Sequence, residues 1–175
     1  MSLKTSDHKC WYAYRIYHNK IQHLKVQLEA EALQYFIPMH LSQKEEENVI
    51  SYSQTPIIPN LIFIRSTETY IKSIKEKYSS HISVYCTPGT RKPAPIPDQE
   101  MEVFMSVLSK GCRRLEVIDE SLIKGNHVRI TGGLFEGADG YIVRVHGTKR
   151  FVVMVKGVAA IATTFIPACF VERID

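Results

Sequence analysis

The chain has 175 residues, of which 45% are hydrophobic and 23% are charged, values that are ordinary for a folded protein and argue against long disorder. Its net charge of +4 is too small to hold nucleic acid through phosphate charge alone. The longest apolar run, Ile57–Ile64, is broken by Pro59 and is far shorter than the roughly 18 residues of a membrane helix. We therefore expect a soluble, cytoplasmic protein that has no membrane partner.

The amino-acid sequence lacks the motifs of common metal sites and active sites. The four cysteines, Cys10, Cys86, Cys112 and Cys169, are scattered and lack the short spacing of structural zinc sites. Reduced thiols are the simpler interpretation. There is no HExxH or GxSxG motif. We expect no catalytic residue, no metal and no cofactor.

The composition changes along the chain. Seven of the nine glycines lie at or after Gly125, whereas seven of the eight prolines precede residue 100. Such a shift predicts two folding units of different architecture. We expect a first domain over residues 8–109, a charged linker over residues 110–124 and a second domain over residues 125–175.

Strand and helix patterns alternate in the first domain. Trp11–His18 has the period of a strand, and Ile21, Leu24, Leu28 and Ala32 form one helical stripe that Asn19 can cap. The later predicted elements are a hairpin arm or exposed loop at Gln43–Asn48, a strand at Leu61–Arg65, a helix at Thr69–Tyr78, a strand at His81–Cys86 and a helix after Asp98. This order favours an α+β fold, with helices packed on a mostly antiparallel sheet.

The second domain reads as nearly all β. Short strands rich in β-branched residues are predicted at Val128–Thr131, Gly140–Val145, Phe151–Lys156 and Ala159–Phe165, with glycines at turn spacing between them. Strands this short favour a small closed barrel, because closure removes exposed sheet edges.

Residues 124–145, KGNHVRITGGLFEGADGYIVRV, resemble a KOW motif, the signature of small SH3-like barrels in transcription and ribosomal proteins. The glycine pair at its centre permits a sharp turn with positive φ. The resemblance implies an SH3-like KOW barrel. The motif positions are Val128, Arg129, Gly132, Gly133, Phe135, Gly137 and Gly140.

Residues 11–13 (WYA), 36–38 (FIP) and 56–65 (PIIPNLIFIR) resemble the N-terminal domain of NusG-type transcription elongation factors, and the resemblance continues to about Ile174. Asn60 stands where the family usually has glycine. The RfaH branch of the family also has asparagine at this position. Residues 91–93 (RKP), 96–98 (IPD) and 157–162 (GVAAIA) look most like UpxY-type antiterminators of polysaccharide operons, including those for capsules.

The resemblance implies a regulator that binds the clamp helices of RNA polymerase and reduces pausing or termination. It places the polymerase contacts at Arg15, Ile57, Ile58, Pro59, Leu61 and Phe63. For Phe63 a plain core-strand position is at least as simple an interpretation. In relatives the KOW barrel recruits a partner such as Rho or a small-subunit ribosomal protein. We expect a monomer with at most weak nucleic-acid contact.

A second class of function stays open, an RNA- or ribosome-binding KOW module that does not bind polymerase directly. The weak basicity and the absence of interleaved surface aromatic residues for base stacking in the barrel argue against it. Neither the identity of the second partner nor the choice between a general and an operon-specific factor follows from the residues. Binding to core polymerase against binding to bulk RNA would separate the two classes.

Overall fold

The computed structural model describes residues 8–174, except for residues 19, 47–48, 79 and 111–114. The strands are β1 (Cys10–Ile16), β2 (Tyr35–Phe36), β3 (Met39–Glu46), β4 (Val49–Pro56), β5 (Leu61–Ser66), β6 (Ile82–Val84), β7 (Glu116–Ile118), β8 (Asn126–Ile130), β9 (Asp139–Val145), β10 (Thr148–Val155), β11 (Ala159–Ala162) and β12 (Val171–Arg173). The α-helices are α1 (Ile21–Ala30), α2 (Glu68–Tyr78) and α3 (Asp98–Ser109).

The chain divides into two units. The first unit comprises Met1–Ile37 and Pro59–Asp98, and the second comprises Pro38–Ile58 and Gln99–Asp175. The first unit contains an antiparallel sheet in the order β2-β5-β1-β6. The second contains the β3–β4 hairpin and an antiparallel sheet in the order β12-β8-β9-β10-β11-β7, which we call the C-terminal sheet. Mixed helices and antiparallel sheets confirm the expected α+β class.

The alternation of β1 decides what each face of the first sheet does. Tyr12, Tyr14 and Ile16 project to one face, where they join a core with residues of α1 and α2. Burial of each such side chain contributes about 1.5–3 kcal/mol to folding. The helical members of that core are Leu24, Leu28, Ile71 and Ile74, spaced at four and three residues as one buried helix face requires.

The beginning and end of α1 differ from the sequence prediction. Lys20 occupies the N-cap position, and its side chain makes no capping hydrogen bond. Asn19, the predicted cap, lies outside the described residues. Ala32, predicted on the helical stripe, follows the C-cap Glu31 and has a φ of 52°, so the helix has already ended there.

The C-terminal sheet begins at β7, inside the range 110–124 that the sequence analysis assigned to a linker. Here Ile118 pairs with Ala160 of β11. The Glu116 carboxylate also accepts a 2.6 Å hydrogen bond from Arg150, which fixes this short strand to the sheet. Among the described residues no ladder joins β12 to β7, so the closed SH3-like barrel stays a prediction.

The strand predicted at Ala159–Phe165 is shorter in the structure. β11 ends at Ala162, so the predicted continuation of the strand to Phe165 is wrong, and Phe165 is 57% exposed. The backbone N–H of Thr163 still bonds to the Phe151 carbonyl of β10. All four residues of β11 are buried, whereas Thr164 and Phe165, after this bond, are exposed.

The turn between β10 and β11 is held by two carboxylates. The backbone N–H of Lys156 donates to Glu100 of α3 over 2.8 Å, and that of Gly157 donates to Glu120 over 2.7 Å. Both acceptors are charged groups, and such hydrogen bonds are stronger than neutral ones. The two bonds therefore tie this turn to α3 and to the segment after β7.

Candidate functional site

Four polar side chains meet at the edge of the first sheet. β6 is an edge strand, and its ladder with β1 places Ser83 directly opposite Arg15. The backbone N–H of Tyr85 donates to the Ala13 carbonyl, which continues the pairing beyond β6. Residues two apart on a strand share a face, so Arg15 and Tyr17 face the same side as Ser83 and Tyr85.

These residues line an open cleft, which we call the Arg15 cleft: Arg15, Tyr17, Ser83, Val84 and Tyr85. Its volume is about 170 Å³. Arg15 Nη2 donates to Tyr85 Oη over 3.3 Å, and its guanidinium carbon lies 5.8 Å from the centre of the Tyr85 ring. The hydroxyl oxygens of Tyr17 and Ser83 are hydrogen-bonded at 3.2 Å.

The charge in the cleft is permanent. The hydrogen bond to Tyr85 raises the pKa of Arg15 above its already high ordinary value. A cation–π contact with the same ring further favours the charged guanidinium. The cleft therefore presents one fixed positive group surrounded by neutral hydroxyl groups.

The loop after β6 lies beside this cleft and adds further positive charge. It returns antiparallel to β6, with the N–H of Ala94 bonded to the Tyr85 carbonyl and the N–H of Thr87 bonded to the Lys92 carbonyl. Arg91 and Lys92 are exposed on the loop. This part of the first unit is thus basic on its surface although the whole chain is only weakly basic.

The turn before β5 has the backbone conformation that the usual glycine of the NusG-type sequences would adopt at this position. Asn60 has a φ of 63°, the left-handed conformation that glycine adopts freely and that asparagine tolerates better than most residues. Its carbonyl accepts the N–H of Ile16 over 2.8 Å, which fixes the turn beside β1. Pro59 and Asn60 are exposed, whereas Ile57 and Ile58 are half-buried.

Two of the expected polymerase contacts are inaccessible in this structure. Leu61 is 1% exposed and Phe63 is 0% exposed. β5 lies between β2 and β1 in the sheet, so both of its edges are paired. Phe63 also packs 6.4 Å, centre to centre, from the ring of Phe36. Leu61 and Phe63 are therefore core residues, whereas Arg15 and Pro59 are exposed and Ile57 and Ile58 are half-buried.

Sequence reasoning missed Tyr17, Ser83 and Tyr85 as neighbours of Arg15. Tyr85 is 70 residues from Arg15 along the chain, and only the β1–β6 register brings the two together. The available signal was the alternation of Ser83 and Tyr85 in the predicted strand His81–Cys86, but it does not reveal the partner strand.

The KOW-motif residues fall into two groups in the C-terminal sheet. Val128 and Phe135 are buried, and Phe135 packs 6.0 Å from the Phe151 ring centre. Arg129 lies outside and forms a two-pronged ion pair with Asp139, at 2.7 and 2.8 Å. This hydrogen-bonded pair lowers the pKa of Asp139 below its ordinary value.

The motif glycines are used for turns and for close approach. Gly133 and Gly137 have φ values of 80° and 83°. A Cβ at Gly140 would lie 2.5 Å from the Val152 carbonyl oxygen and 2.6 Å from a ring atom of Phe151. A Cβ at Gly132 would lie 2.7 Å from the ring of Phe170, which rests on this glycine.

The described part of the chain contains no group of three or more His, Cys, Asp or Glu side chains arranged for a metal ion. Cys10, Cys86 and Cys169 are free, and Cys112 lies outside the described residues. None of the described helices has the length and apolar character needed to cross a membrane.

The region that carries the Arg15 cleft matches a known protein family. The NusG family, described as transcription termination factor nusG, matches residues 9–105, more than half of the chain. The match begins just before β1 and ends within α3, so it includes every residue of the Arg15 cleft. No curated protein matches the sequence.

Proposed function

The chain belongs to the NusG family of transcription factors, and we propose that it binds the clamp helices of RNA polymerase and reduces pausing or termination. Binding of RNA polymerase is a property of the family. Membership of the family indicates a factor that acts in transcription elongation or termination. The direction of the effect, reduced pausing, is part of the proposal.

The observation that carries the proposal is the surface formed by the Arg15 cleft and the exposed Pro59–Asn60 turn. The Asn60–Ile16 hydrogen bond and the Arg15–Leu61 pairing put the turn next to the cleft in the first unit. Protein interfaces combine an apolar centre with polar and charged groups at its rim, and arginine is enriched in them. Pro59 supplies apolar surface and Arg15 supplies charge. Ile57 and Ile58 directly precede Pro59 in the chain and keep part of their side chains exposed.

We further propose that the protein is a specialised antiterminator of a polysaccharide operon, whose C-terminal sheet is a KOW barrel. The resemblance of residues 91–93, 96–98 and 157–162 to UpxY-type factors supports the first part. Buried Val128 and Phe135 and the turn conformations of Gly133 and Gly137 are compatible with the second. The barrel would recruit a second partner such as Rho or a small-subunit ribosomal protein, with the chain acting as a monomer.

The test is binding of full-length variants to purified core RNA polymerase. Ile58→Glu places a charge in the proposed apolar contact and should weaken binding at least tenfold, because a buried unpaired carboxylate is costly. Val26→Glu is the matched control, since Val26 is 66% exposed on α1. The buried residues of α1 pack on the face of the first sheet that carries Tyr12 and Tyr14, and Arg15 lies on the other face. The Val26→Glu variant should bind like wild type.

Two results would contradict the proposal. One is a folded Ile58→Glu variant that binds polymerase as tightly as the Val26→Glu control. The other is tight binding to bulk RNA with no binding to core polymerase, which would favour an RNA- or ribosome-binding module. Pause lifetimes in a purified transcription assay then test the direction of the effect, because a factor of the proposed kind shortens them.

A further inference from the structure

We propose that the Arg15 cleft receives an acidic side chain of the polymerase, whose carboxylate binds the Arg15 guanidinium and the surrounding hydroxyl groups. This inference rests on the proposed function, because it specifies the chemistry of the partner at the same surface. It adds Tyr17, Ser83 and Tyr85 to the contact set. The partner group is an Asp or Glu side chain at the end of the interface where Arg15 lies.

Arg15 has no ion-pair partner among the described residues. Within the described residues, the arginines in ion pairs are Arg65 with Asp98, Arg129 with Asp139, and Arg150 with Glu116. Arg15 instead contacts the neutral phenols of Tyr85 and Tyr17. A guanidinium has five N–H donors in a planar fork that suits a carboxylate in two-pronged geometry. Arg15 therefore keeps donors and charge for a group from outside the chain.

Contacts within the first unit hold the Arg15 side chain in place before any partner binds. Tyr85 contacts the guanidinium both through its hydroxyl and through its ring, and the Ala94 N–H bond fixes the backbone of Tyr85. A side chain ordered before binding loses less conformational entropy when the partner arrives. The Tyr17–Ser83 hydrogen bond orders the opposite wall in the same way.

The surroundings of Arg15 suit a protein carboxylate better than a nucleic-acid strand. Single-stranded nucleic acid binds by stacking bases on free aromatic faces above a basic groove. In the Arg15 cleft the guanidinium lies over the Tyr85 ring, which leaves Tyr17, 40% exposed, as the one open ring in the cleft lining. One open ring is less than the series of rings on which successive bases stack. The exposed neighbours of the cleft are the apolar Pro59 and, on the loop after β6, the basic Arg91 and Lys92. Apolar surface next to the Arg15 cation suits a protein face with an acidic residue at its rim, and the basic loop favours the same acidic partner.

The test compares full-length Arg15→Gln, Arg15→Lys and Arg144→Gln for binding to core polymerase. Arg15→Gln should weaken binding about tenfold and reduce its salt dependence, because one charge-assisted pair is lost. Arg15→Lys keeps the charge but loses the fork and should weaken binding about threefold. Arg144→Gln removes the same charge from an exposed position of β9 and should bind like wild type. Labelled single-stranded DNA and RNA are titrated in parallel.

Each outcome decides the inference. It is overturned if Arg15→Gln binds polymerase like Arg144→Gln while Ile58→Glu loses binding, and the proposed function then stands. It is also overturned if Arg15→Gln loses affinity for single-stranded DNA or RNA but not for polymerase. If Ile58→Glu and Arg15→Gln both bind polymerase like wild type, the proposed polymerase surface fails as well. Loss with Arg15→Gln, partial loss with Arg15→Lys and unchanged nucleic-acid affinity support it.

Discussion

Arg15 in the first unit and Arg129 in the second occupy similar positions and have different partners. Both are exposed residues of antiparallel strands, and each faces a short polar residue across its ladder. For Arg129 that residue is Asp139, which neutralises it through two hydrogen bonds. For Arg15 it is Ser83, and the guanidinium turns to a phenol.

The comparison shows how one residue type serves two purposes. A guanidinium that is paired inside the chain contributes to the fold and has little affinity left for other anions. A guanidinium that is ordered by neutral groups retains its charge for a partner. The residue opposite on the neighbouring strand decides between the two, and substitutions there can convert one case into the other.

The largest expected effect is on the second region, where β9, the strand that carries Asp139, approaches β10 closely. Gly140→Ala puts a Cβ 2.5 Å from the Val152 carbonyl oxygen and should lower the free energy of unfolding by about 3 kcal/mol. Gly147→Ala is the control, because its φ of 81° is strained but no atom lies within 4 Å. It should cost about 1 kcal/mol. Thermal unfolding measures both, and equal losses would contradict the close contact.

Ser83→Glu would make Arg15 resemble Arg129 by installing a carboxylate opposite it. We expect affinity for core polymerase to fall about tenfold, or about 1.4 kcal/mol, because the new carboxylate competes for the guanidinium. Ser83→Gln has a similar size without the charge and should lose much less. The melting temperature of Ser83→Glu should not fall. Equal affinity of the two variants would show that the charge of Arg15 is not used in binding.

Asp139→Asn tests the paired arginine through pH. The folded-state pKa of Asp139 lies below its ordinary value of 3.8, so the carboxylate stabilises the fold above that value. This stability is lost as the pH falls below 3.8 and through the folded-state pKa. At pH 7 the variant should melt about 2 °C lower than wild type, a size typical of an exposed ion pair. The difference should shrink below pH 3.8, and a constant difference would contradict the prediction.

The smallest expected effect concerns the carboxylates that hold the β10–β11 turn. Glu100→Ala removes the acceptor of the Lys156 N–H and should speed hydrogen exchange of that amide about threefold, as loss of a modest hydrogen bond implies. The Gly157 amide, which is bonded to Glu120, should change less. Glu102→Ala, at an exposed position of α3, is the control. Hydrogen exchange of the Lys156 amide is measured by NMR. Equal exchange rates in Glu100→Ala and Glu102→Ala would contradict the hydrogen bond between Lys156 and Glu100.

The sequence predicted the elements of the first sheet well because its strands and helices have clear periods. The alternation of Trp11–His18 correctly separated Tyr12 and Tyr14 from Trp11 and Arg15. Asn60, which stands at a usual glycine position of the family, also has the left-handed φ that glycine adopts freely. These features depend on neighbours in sequence, so local patterns contain them.

The Arg15 cleft could not be predicted in the same way. It depends on which strand pairs with β1 and in what register, and no local pattern specifies either. The same limit explains Leu61, whose burial follows from the pairing of β5 on both edges. β7 and β12 were missed because they form on partners far away in sequence, β11 for β7 and β8 for β12.

The contact between Gly132 and Phe170 has a consequence for related sequences. The Phe170 ring lies where a Cβ of residue 132 would be, although the two residues are far apart along the chain. A larger residue at 132 is therefore compatible with the fold only when position 170 carries a smaller side chain or the ring moves away. In an alignment of relatives we expect these two positions to covary, with glycine at one accompanying an aromatic residue at the other. This pairing would mark the members of the family that cover the motif turn with an aromatic ring.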